Sequence, residues 1–193
     1  AIESINDSTL LPYEVIIVDD GSTDDSVKYL EKLNLDYKLR VINEEHKGQV
    51  YALNTGIDLI KTKYIMRLDT DDIIHTKRIY MQYNFLESNP DIFFVGCNAI
   101  NFDSSYGKLS KTNKPENHDK IMKAYKRGDH GMIHATIMFR NEKIKKNKYN
   151  EKMKVDSEYY FIVNLLIKYK LKAANLQSTL YYIRNTPGSL SKS

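Results

Sequence analysis

Two groups of aspartates in this sequence have the residue types and spacing to bind a cation. The pair Asp19 and Asp20 ends one apolar run, and the segment Asp69-Thr70-Asp71-Asp72 directly follows another. Carboxylates that cluster without a partner repel one another, so such a cluster usually holds a cation or a donor-rich ligand. Each group alone is typical of a turn and a helix cap, but their joint occurrence at strand ends favours a shared site.

The kind of cation follows from the side chains present. No histidine or cysteine accompanies the aspartates, so hard Mg²⁺ or Mn²⁺ is favoured over zinc. Such a cation typically binds one or two carboxylates and fills its other positions with water and substrate phosphates. The sequence therefore predicts a metal–diphosphate site.

Alternating strand and helix patterns position these aspartates. We predict strands at 14–18, 39–42, 64–68 and 92–96, and helices from Ser22 (with Asp25 in capping-box spacing), at 48–60, at 78–87 and at 157–169. Short connections between alternating strands and helices are typical of an α/β fold with a mostly parallel central sheet flanked by helices. Ligands of such sheets bind outside the carboxyl ends of the strands, where these aspartates lie.

The remaining segments suggest one domain. Residues 101–117 are polar and predict a loop or an extension of the sheet, and residues 140–154 form a basic stretch before the last helix. No linker or repeat divides the chain. We expect a single domain over 1–193, with a nucleotide- and metal-binding half at 1–97 and an acceptor-side half at 98–193.

Charge and cysteine content restrict the class of protein. The net charge of +4 combines an acidic half (17 acids and 10 bases in 1–97) with a basic half (8 acids and 19 bases in 98–193). A basic half suits phosphate or an anionic membrane surface, whereas no recognition-helix pattern indicates nucleic acid. Cys97 is the single cysteine, and no apolar run reaches the roughly 18 residues of a membrane span. With no signal-peptide pattern at the start, we expect a cytoplasmic protein, with peripheral contact at the inner face of the membrane as an option.

Several motifs resemble those of a known family, in the family's order along the chain. The motifs are Val18-Asp19-Asp20-Gly21-Ser22-Thr23-Asp24, Asn54-Thr55-Gly56-Ile57, Arg67-Leu68-Asp69-Thr70-Asp71-Asp72, His134 to Arg140, and Tyr181 to Arg184 followed by Ser189 and Ser191. Together they resemble the family 2 glycosyltransferases, which have the GT-A nucleotide-diphospho-sugar transferase fold. The chain begins within what resembles that family's first helix, so the first strand of the family is expected to be missing ahead of Ala1.

The resemblance implies an activity and its partners. It implies an inverting glycosyltransferase, transferring a hexose or N-acetylhexosamine, that uses a sugar nucleotide (a UDP-sugar foremost), a glycan or lipid-linked acceptor, and Mn²⁺ or Mg²⁺. A role in cell-surface polysaccharide synthesis fits this family.

The resemblance also implies roles for individual residues. Asp71 would bind the metal, Asp69 would contact the ribose or the metal's water shell, and Asp72 would orient that shell or cap a helix. One of the pair Asp19 and Asp20, after strand 14–18, would contact the nucleotide. Lys47 and Gly48 from a loop and Asn54 from a helix would add further contacts.

A catalytic base is implied at the start of the last helix. The family has Glu-Asp before a tyrosine there, whereas this chain has Val155-Asp156-Ser157-Glu158-Tyr159. Alignment on the tyrosine favours Glu158 as the base over Asp156. Arg184 would stabilise the diphosphate, and His134 would lie on the acceptor side.

Three other functions remain open at this point. A metal-dependent nucleotidyltransferase would need a glycine-rich basic loop, which the sequence does not show. A non-catalytic member that binds a sugar nucleotide is consistent with the Ser157 departure. A phosphatase with an Asp-x-Asp nucleophile would leave the segment 18–24 unexplained.

Overall fold

The computed structural model describes residues 1–103, 109–153 and 155–185, so Ser189 and Ser191 and part of the basic stretch lie outside the described residues. The helices are α1 (Ile2–Asn6), α2 (Ser26–Glu31), α3 (Gln49–Leu59), α4 (Arg78–Ser88), α5 (His118–Lys126), α6 (Asn141–Ile144) and α7 (Ser157–Val163), with a 3-10 turn at His134–Thr136 and a π-helical turn at Asn164–Lys168. The strands are β1 (Glu14–Asp19), β2 (Lys38–Asn43), β3 (Tyr64–Met66), β4 (Ile73–Ile74), β5 (Ile92–Phe102), β6 (Leu109–Lys111), β7 (Met138–Arg140) and β8 (Lys172–Arg184).

The strands form two sheets. β1 pairs in parallel with β2 in a small sheet, and the larger sheet has the order β3-β7-β5-β8-β4 with β6 added beside β5. β5 and β8 run parallel over ten residue pairs, whereas β3–β7, β5–β7, β4–β8 and β5–β6 are antiparallel. The α/β class is therefore confirmed, but the expectation of a mostly parallel sheet is wrong for the larger sheet. The reason is that β7 and β8, which come late in the chain, insert on either side of β5.

Helices cover both faces of the larger sheet. Residues 93–99 of β5 are all buried, as expected for a strand covered on both sides. Phe94 packs in one cluster with residues of α3, α5 and α7, whereas Val95 and Cys97 pack in the other with residues of α1 and α4. This alternation follows from the period of two along a strand. Cys97 is a free, buried thiol.

The amphipathic patterns predicted most elements at nearly the right place. The observed β1, β2, α3 and α4 agree with the predicted ranges to within two residues, and β5 continues six residues beyond its predicted end. β3 ends at Met66 instead of continuing to Leu68, although the Arg67 N–H still donates to Ile137 O, just after the 3-10 turn, at 2.9 Å.

The helix expected from Ser22 begins only at Ser26. The capping box of Ser22 and Asp25 does not form, because the loop uses other partners. The Ser22 N–H donates to Asp19 Oδ2 at 3.1 Å, and the Ser26 N–H donates to Asp24 Oδ1 at 3.0 Å. The segment 21–25 is therefore a loop beside the end of β1, rather than the first turn of a helix.

Several elements have no counterpart in the sequence prediction, among them α5 and β8. α5 begins after Asn117, whose side chain accepts a hydrogen bond from the Lys120 N–H, an ordinary N-cap at the end of the polar segment 101–117. β8 covers 13 residues with a mixed pattern of burial. No helix among the described residues has the length and apolar character needed to cross a bilayer.

Candidate active site

The end of β1 is joined to the loop before α3 by one carboxylate. Asp20 accepts hydrogen bonds from the backbone N–H groups of Lys47 (2.7 Å) and Gly48 (2.9 Å to Oδ2), and His46 Nδ1 lies 3.0 Å from its Oδ2. Gly48 has a φ of +100°, a conformation that favours glycine. Because these donors occupy both oxygens of Asp20, its role in the structure is to shape this loop.

Asp19 is the more open member of the pair. It is half-buried, and its Oδ2 accepts from the Ser22 N–H. The turn between them is tight, since a Cβ on Gly21 would lie 3.1 Å from His46 N, and Gly21 has a φ of +80°. The loops after β1 and β2 therefore meet at Gly21.

The acidic motif after β3 is held by an arginine and a tyrosine. Arg67 forms an ion pair with Asp69 and hydrogen bonds to the Leu68 carbonyl, and the Asp69 N–H donates to the Tyr181 hydroxyl at 3.1 Å. Burial acts to lower the pKa of Arg67, but the negative Asp69 and Glu158 outweigh it, so its pKa is raised. Arg67 thus carries a fixed positive charge between the motif and the start of α7.

Asp72 links the motif to the end of β8. It is 4% exposed, and its Oδ1 accepts from the Arg184 N–H at 2.8 Å. Burial raises its pKa, although the hydrogen bonds from Arg184 and Tyr181 oppose that shift. Neither the water-shell role nor the helix-cap role of Asp72 agrees with this burial. Its carboxylate instead binds the end of β8 through the Arg184 N–H.

Arg184 lies beside the motif, as the resemblance implies. Its Nε donates to the Asp71 carbonyl at 3.1 Å, and its guanidinium lies 4.8 Å from the ring centre of Phe102. Its backbone also holds Asp72, so Arg184 and the motif form one unit at the edge of the larger sheet.

Asp71 is the exposed carboxylate of the motif, and Asp69 is half-buried. Among the described residues, no group of three or more histidines, cysteines and acids is arranged to enclose a metal ion. One exposed carboxylate with a second beside it is nevertheless the donor set that Mg²⁺ or Mn²⁺ uses when substrate phosphates and water complete its shell. The residues present fit a substrate-completed site at Asp71, rather than an all-protein one.

Glu158, on the first turn of α7, faces a buried histidine. Its Oε1 lies 3.1 Å from Nδ1 of His134, which is in the 3-10 turn. The Glu158 side chain is 36% exposed, whereas that of His134 is 8% exposed. Burial acts to raise the pKa of Glu158, but His134, Arg67 and His130 outweigh it, and the pKa is lowered. Glu158 is therefore a partly exposed carboxylate whose ionised form is favoured by its surroundings.

Asp156, the second candidate base, has a different environment. It is exposed, adopts a left-handed conformation with a φ of +55°, and makes no side-chain cap of α7. A strained backbone of this kind in a residue other than glycine costs about 1–3 kcal/mol and requires support from its surroundings. Asp156 thus sets the entry of the chain into α7, while Glu158 is the carboxylate beside the acidic motif.

Asn54 lies away from any ligand that enters from solvent. It is 4% exposed, and its amide binds the backbone N–H and carbonyl of Tyr149 and the Glu151 carboxylate. These contacts use both N–H groups and the carbonyl oxygen of the side chain. The structure gives Asn54 a positioning role on the loop after α6, in place of the nucleotide contact that the resemblance implies.

The structure brings together some of the predicted residues. Asp69, Asp71, Asp72 and Arg184 share one sheet edge, and the charge of Arg67 couples them to Glu158 and His134. Asp19 and Asp20 lie on the smaller sheet, and in the described part of the chain neither a hydrogen bond nor an ion pair joins them to the motif.

The sequence analysis gave no role to three residues that the structure places at the site: Arg67, Tyr149 and Tyr181. Arg67 and Tyr181 belong to motifs quoted above, so position relative to the aspartates was a usable signal. Tyr149 lies in a basic stretch that looks like a solvated loop. No pattern in the sequence distinguishes this tyrosine from the other fourteen.

The family follows from comparison with known proteins. The model of glycosyl transferase family 2 matches residues 1–148, more than half of the chain. The chain belongs to glycosyl transferase family 2. Membership places it in the glycosyltransferase class of enzymes, as the motifs predicted.

Relatives in this family cover the chain to different extents. An uncharacterized glycosyltransferase of Methanocaldococcus jannaschii is 29% identical over the whole chain, which covers 68% of that protein. The amylovoran biosynthesis glycosyltransferase AmsE of Erwinia amylovora is 30% identical over 74% of this chain and 54% of its own length.

Solved structures share the fold. Staphylococcus aureus TarS 1–349 in complex with UDP-GlcNAc superposes with a TM-score of 0.78 at 18% identity, over 99% of this chain and 56% of that one. The mannosyltransferase PcManGT from Pyrobaculum calidifontis, in complex with GDP-Man and Mn²⁺, gives 0.67 at 16% identity, over 97% and 52%. The GT-A fold is thereby confirmed. The chain spans about half the length of these solved structures.

Proposed function

We propose that this family 2 member transfers a sugar, with inversion, from a nucleoside-diphosphate donor to a hydroxyl group of a glycan or lipid-linked acceptor. The observation that carries the proposal is the geometry of Glu158. An ionised, solvent-accessible carboxylate lies 3.1 Å from a buried histidine and shares the charge of Arg67 with the acidic motif. A base for the acceptor and an anchor for the donor thus occur in one site.

The reaction is a displacement at the anomeric carbon. The bond from that carbon to the phosphate oxygen breaks, and its electron pair leaves with the nucleoside diphosphate. The acceptor oxygen forms the new bond from the opposite face, and its proton passes to a carboxylate oxygen of Glu158. A carboxylate in this role contributes about 10²- to 10⁴-fold to the rate.

The departing nucleoside diphosphate is negatively charged, and the part of the site around Asp71 must stabilise that charge. Asp71 would hold Mn²⁺ or Mg²⁺, and a cation bound there offsets the charge of the diphosphate. Arg67 binds the Asp69 carboxylate and Arg184 binds the Asp71 carbonyl, so both residues hold the motif in place as the diphosphate departs. Asp19, the more open of its pair, is proposed to meet the nucleoside, with Lys47 and Gly48 forming the loop beside it.

The donor is proposed to be a UDP-sugar carrying a hexose or N-acetylhexosamine. TarS, whose complex contains UDP-GlcNAc, has the same fold over 99% of this chain. PcManGT binds GDP-Man with Mn²⁺, so a guanine nucleotide is the competitor to test.

The acceptor and setting are proposed from the relatives and from charge. AmsE acts in amylovoran biosynthesis, which supports a role in cell-surface polysaccharide synthesis at the inner face of the membrane. Lys143, Lys145 and Lys146 on and after α6 are exposed, which suits an anionic surface or a lipid-linked diphosphate.

The test measures the nucleoside diphosphate released by the full-length protein from UDP-GlcNAc, UDP-glucose and GDP-mannose, with Mn²⁺. We expect Asp71→Ala to lose both turnover and the rise in melting temperature that donor and Mn²⁺ together cause. Glu158→Gln should keep that rise but lower turnover by at least about 100-fold, because the base does not hold the donor. Glu142→Gln, on the exposed side of α6, is the matched control and should resemble the wild type.

Two outcomes contradict the proposal. A Glu158→Gln protein with wild-type turnover removes the base, and turnover that persists in Asp71→Ala with a chelator removes the metal site. Release of pyrophosphate from a nucleoside triphosphate and a sugar phosphate would instead indicate a nucleotidyltransferase. Binding without turnover would indicate a non-catalytic member.

A further inference from the structure

His134 lies between the proposed base and a buried tyrosine. Its Nδ1 is 3.1 Å from Glu158 Oε1, and its Nε2 is 2.5 Å from the Tyr149 hydroxyl. Each ring nitrogen thus lies near an oxygen, one charged and one neutral. Only Nε2 has the geometry of a hydrogen bond, and Nδ1 faces the carboxylate as a charge contact. Such an arrangement fixes which nitrogen carries the proton.

Tyr149 is held by contacts to its ring and to its backbone. It is 6% exposed, and its ring stacks on Phe161 with 3.9 Å between ring centres and 22° between planes. Its backbone N–H and carbonyl bind the Asn54 amide at 3.0 and 3.1 Å. The hydroxyl is thus presented to His134 by the backbone of one loop and by the rings of α7. This accounts for the buried Asn54, which the proposed chemistry otherwise leaves without a role.

The positions of the partners select one tautomer of the imidazole. A proton on Nδ1 attracts the Glu158 carboxylate, whereas a lone pair there would repel it. A neutral imidazole with its proton on Nδ1 has a lone pair on Nε2, which must accept from the Tyr149 hydroxyl. Burial raises the pKa of Tyr149, so the hydroxyl keeps the proton that it donates.

We propose that Tyr149 is a positioning residue that fixes the Nδ1–H tautomer of His134, and that His134 thereby orients the Glu158 carboxylate and keeps it ionised. This inference rests on the proposed function, in which Glu158 accepts the proton of the acceptor hydroxyl. Tyr149 itself does not reach the substrate, because it is only 6% exposed.

Other charged groups also face Glu158 and set the background for any titration. Arg67 from the end of β3 and His130 from the segment before the 3-10 turn both act to lower its pKa, as does His134. Tyr149 lies behind His134, and Asp69 is held by Arg67. Removal of Tyr149's hydroxyl changes the partner of His134 alone, so Arg67 and His130 keep their effect.

The test is nuclear magnetic resonance on the full-length protein, with the imidazole nitrogens of His134 and the carboxyl carbon of Glu158 observed across pH. In the wild type we expect the proton of neutral His134 on Nδ1. In Tyr149→Phe the Nε2–H tautomer should become populated, and the pKa of Glu158 should rise, because a lone pair then faces the carboxylate. His134→Ala should raise that pKa further, by about one unit.

The phenylalanine variant is suited to this purpose because it keeps the stacking on Phe161, and because Asn54 binds only the backbone of residue 149. Tyr37→Phe is the matched control. It also removes one hydroxyl, which donates to Ile2 O at 3.2 Å far along the chain from α7, and should leave both signals unchanged.

Turnover gives a second reading. Because the ionised carboxylate is the active form, a raised pKa moves the acidic limb of the kcat profile to higher pH in Tyr149→Phe, with KM for the donor unchanged. A wild-type proton on Nε2 would overturn the proposal. So would a Tyr149→Phe protein whose tautomer and Glu158 titration match the wild type. The titration of Glu158 does not depend on turnover, so it tests the role of Tyr149 by itself. Whether Glu158 is the base is tested separately, by the turnover of Glu158→Gln.

Discussion

At the scale of single residues, carboxylates of one chemical type have different tasks because their surroundings differ. Asp71 and Glu158 keep accessible oxygens, while Asp20 and Asp72 spend theirs on backbone N–H groups. A carboxylate that is buried or already accepts several hydrogen bonds shapes the backbone, since few of its lone pairs are accessible to a ligand. Some acidic residues of the motifs are therefore available for chemistry, whereas others maintain the backbone structure.

Asp20 allows this division to be tested. Asp20→Ala should lower the free energy of unfolding by about 2 kcal/mol, because the N–H groups of Lys47 and Gly48 lose a charged acceptor. Binding of UDP with Mn²⁺ should weaken as the loop loses its shape. Urea unfolding and calorimetric titration measure the two effects.

The control for that prediction lies in the same loop. Asp25 is exposed and pairs with exposed Lys28, so Asp25→Ala should change stability by no more than about 0.5 kcal/mol. Equal losses in the two variants would show that the hydrogen bonds of Asp20 contribute no more than a surface ion pair.

At the scale of elements, α4 connects the acidic motif to the 3-10 turn that carries His134 through a buried arginine. Arg78 is fully buried and donates to Gln82, to the Arg67 carbonyl at 2.9 Å and to the Ala135 carbonyl at 3.1 Å. Its guanidinium also lies 4.8 Å from the ring centre of Tyr181. α4 thus joins the turn before the acidic motif to the 3-10 turn that carries His134.

Arg78→Met should destabilise the protein by about 3 kcal/mol, because the variant leaves buried carbonyls and Gln82 without their donor. Arg78→Lys keeps the charge but not the fork of donors, so its loss should be intermediate. Urea unfolding of both, beside exposed Arg127→Met as control, checks the order. Arg78→Met as stable as Arg127→Met would contradict the role given to α4.

At the scale of the whole molecule, the two sheets differ in how deeply they are buried. Every residue of β1 is half-buried, whereas residues 93–99 of β5 are buried without interruption. β5 and β8 also share the longest ladder in the described residues. The larger sheet should therefore resist local unfolding more than the smaller sheet, since that resistance depends on buried contacts.

Hydrogen exchange measures that resistance. Amides of β1 and β2 should exchange at least about tenfold faster than those of β5 and β8. UDP with Mn²⁺ should slow exchange in the loops after β1 and β2, where Asp20 binds Gly48. Equal exchange rates in the two sheets would contradict the prediction that the smaller sheet is the less stable one.

Periodicity and motifs were sufficient for much of this protein. The β-branched run in β1, the amphipathic faces of α3 and α4 and the order of the motifs predicted the α/β class and the family, because these signals are local. The family and the GT-A fold are confirmed, and the metal, the base and the acceptor stay proposals. The late strand β8 and the antiparallel place of β7 were beyond local signals, since strand order depends on pairing between distant segments.

The sequence by itself determined which residues have the chemistry: the aspartates after β1 and β3, and the acids before and in α7. Only the tertiary structure decided among them. Glu158 rather than Asp156 faces His134, Asp72 is buried against β8, and Tyr149 from an unremarkable loop lies behind the histidine. The physical reason is that residue type fixes what a side chain can donate, accept or ionise. Burial and the partners brought by remote segments fix which of those capacities remain free.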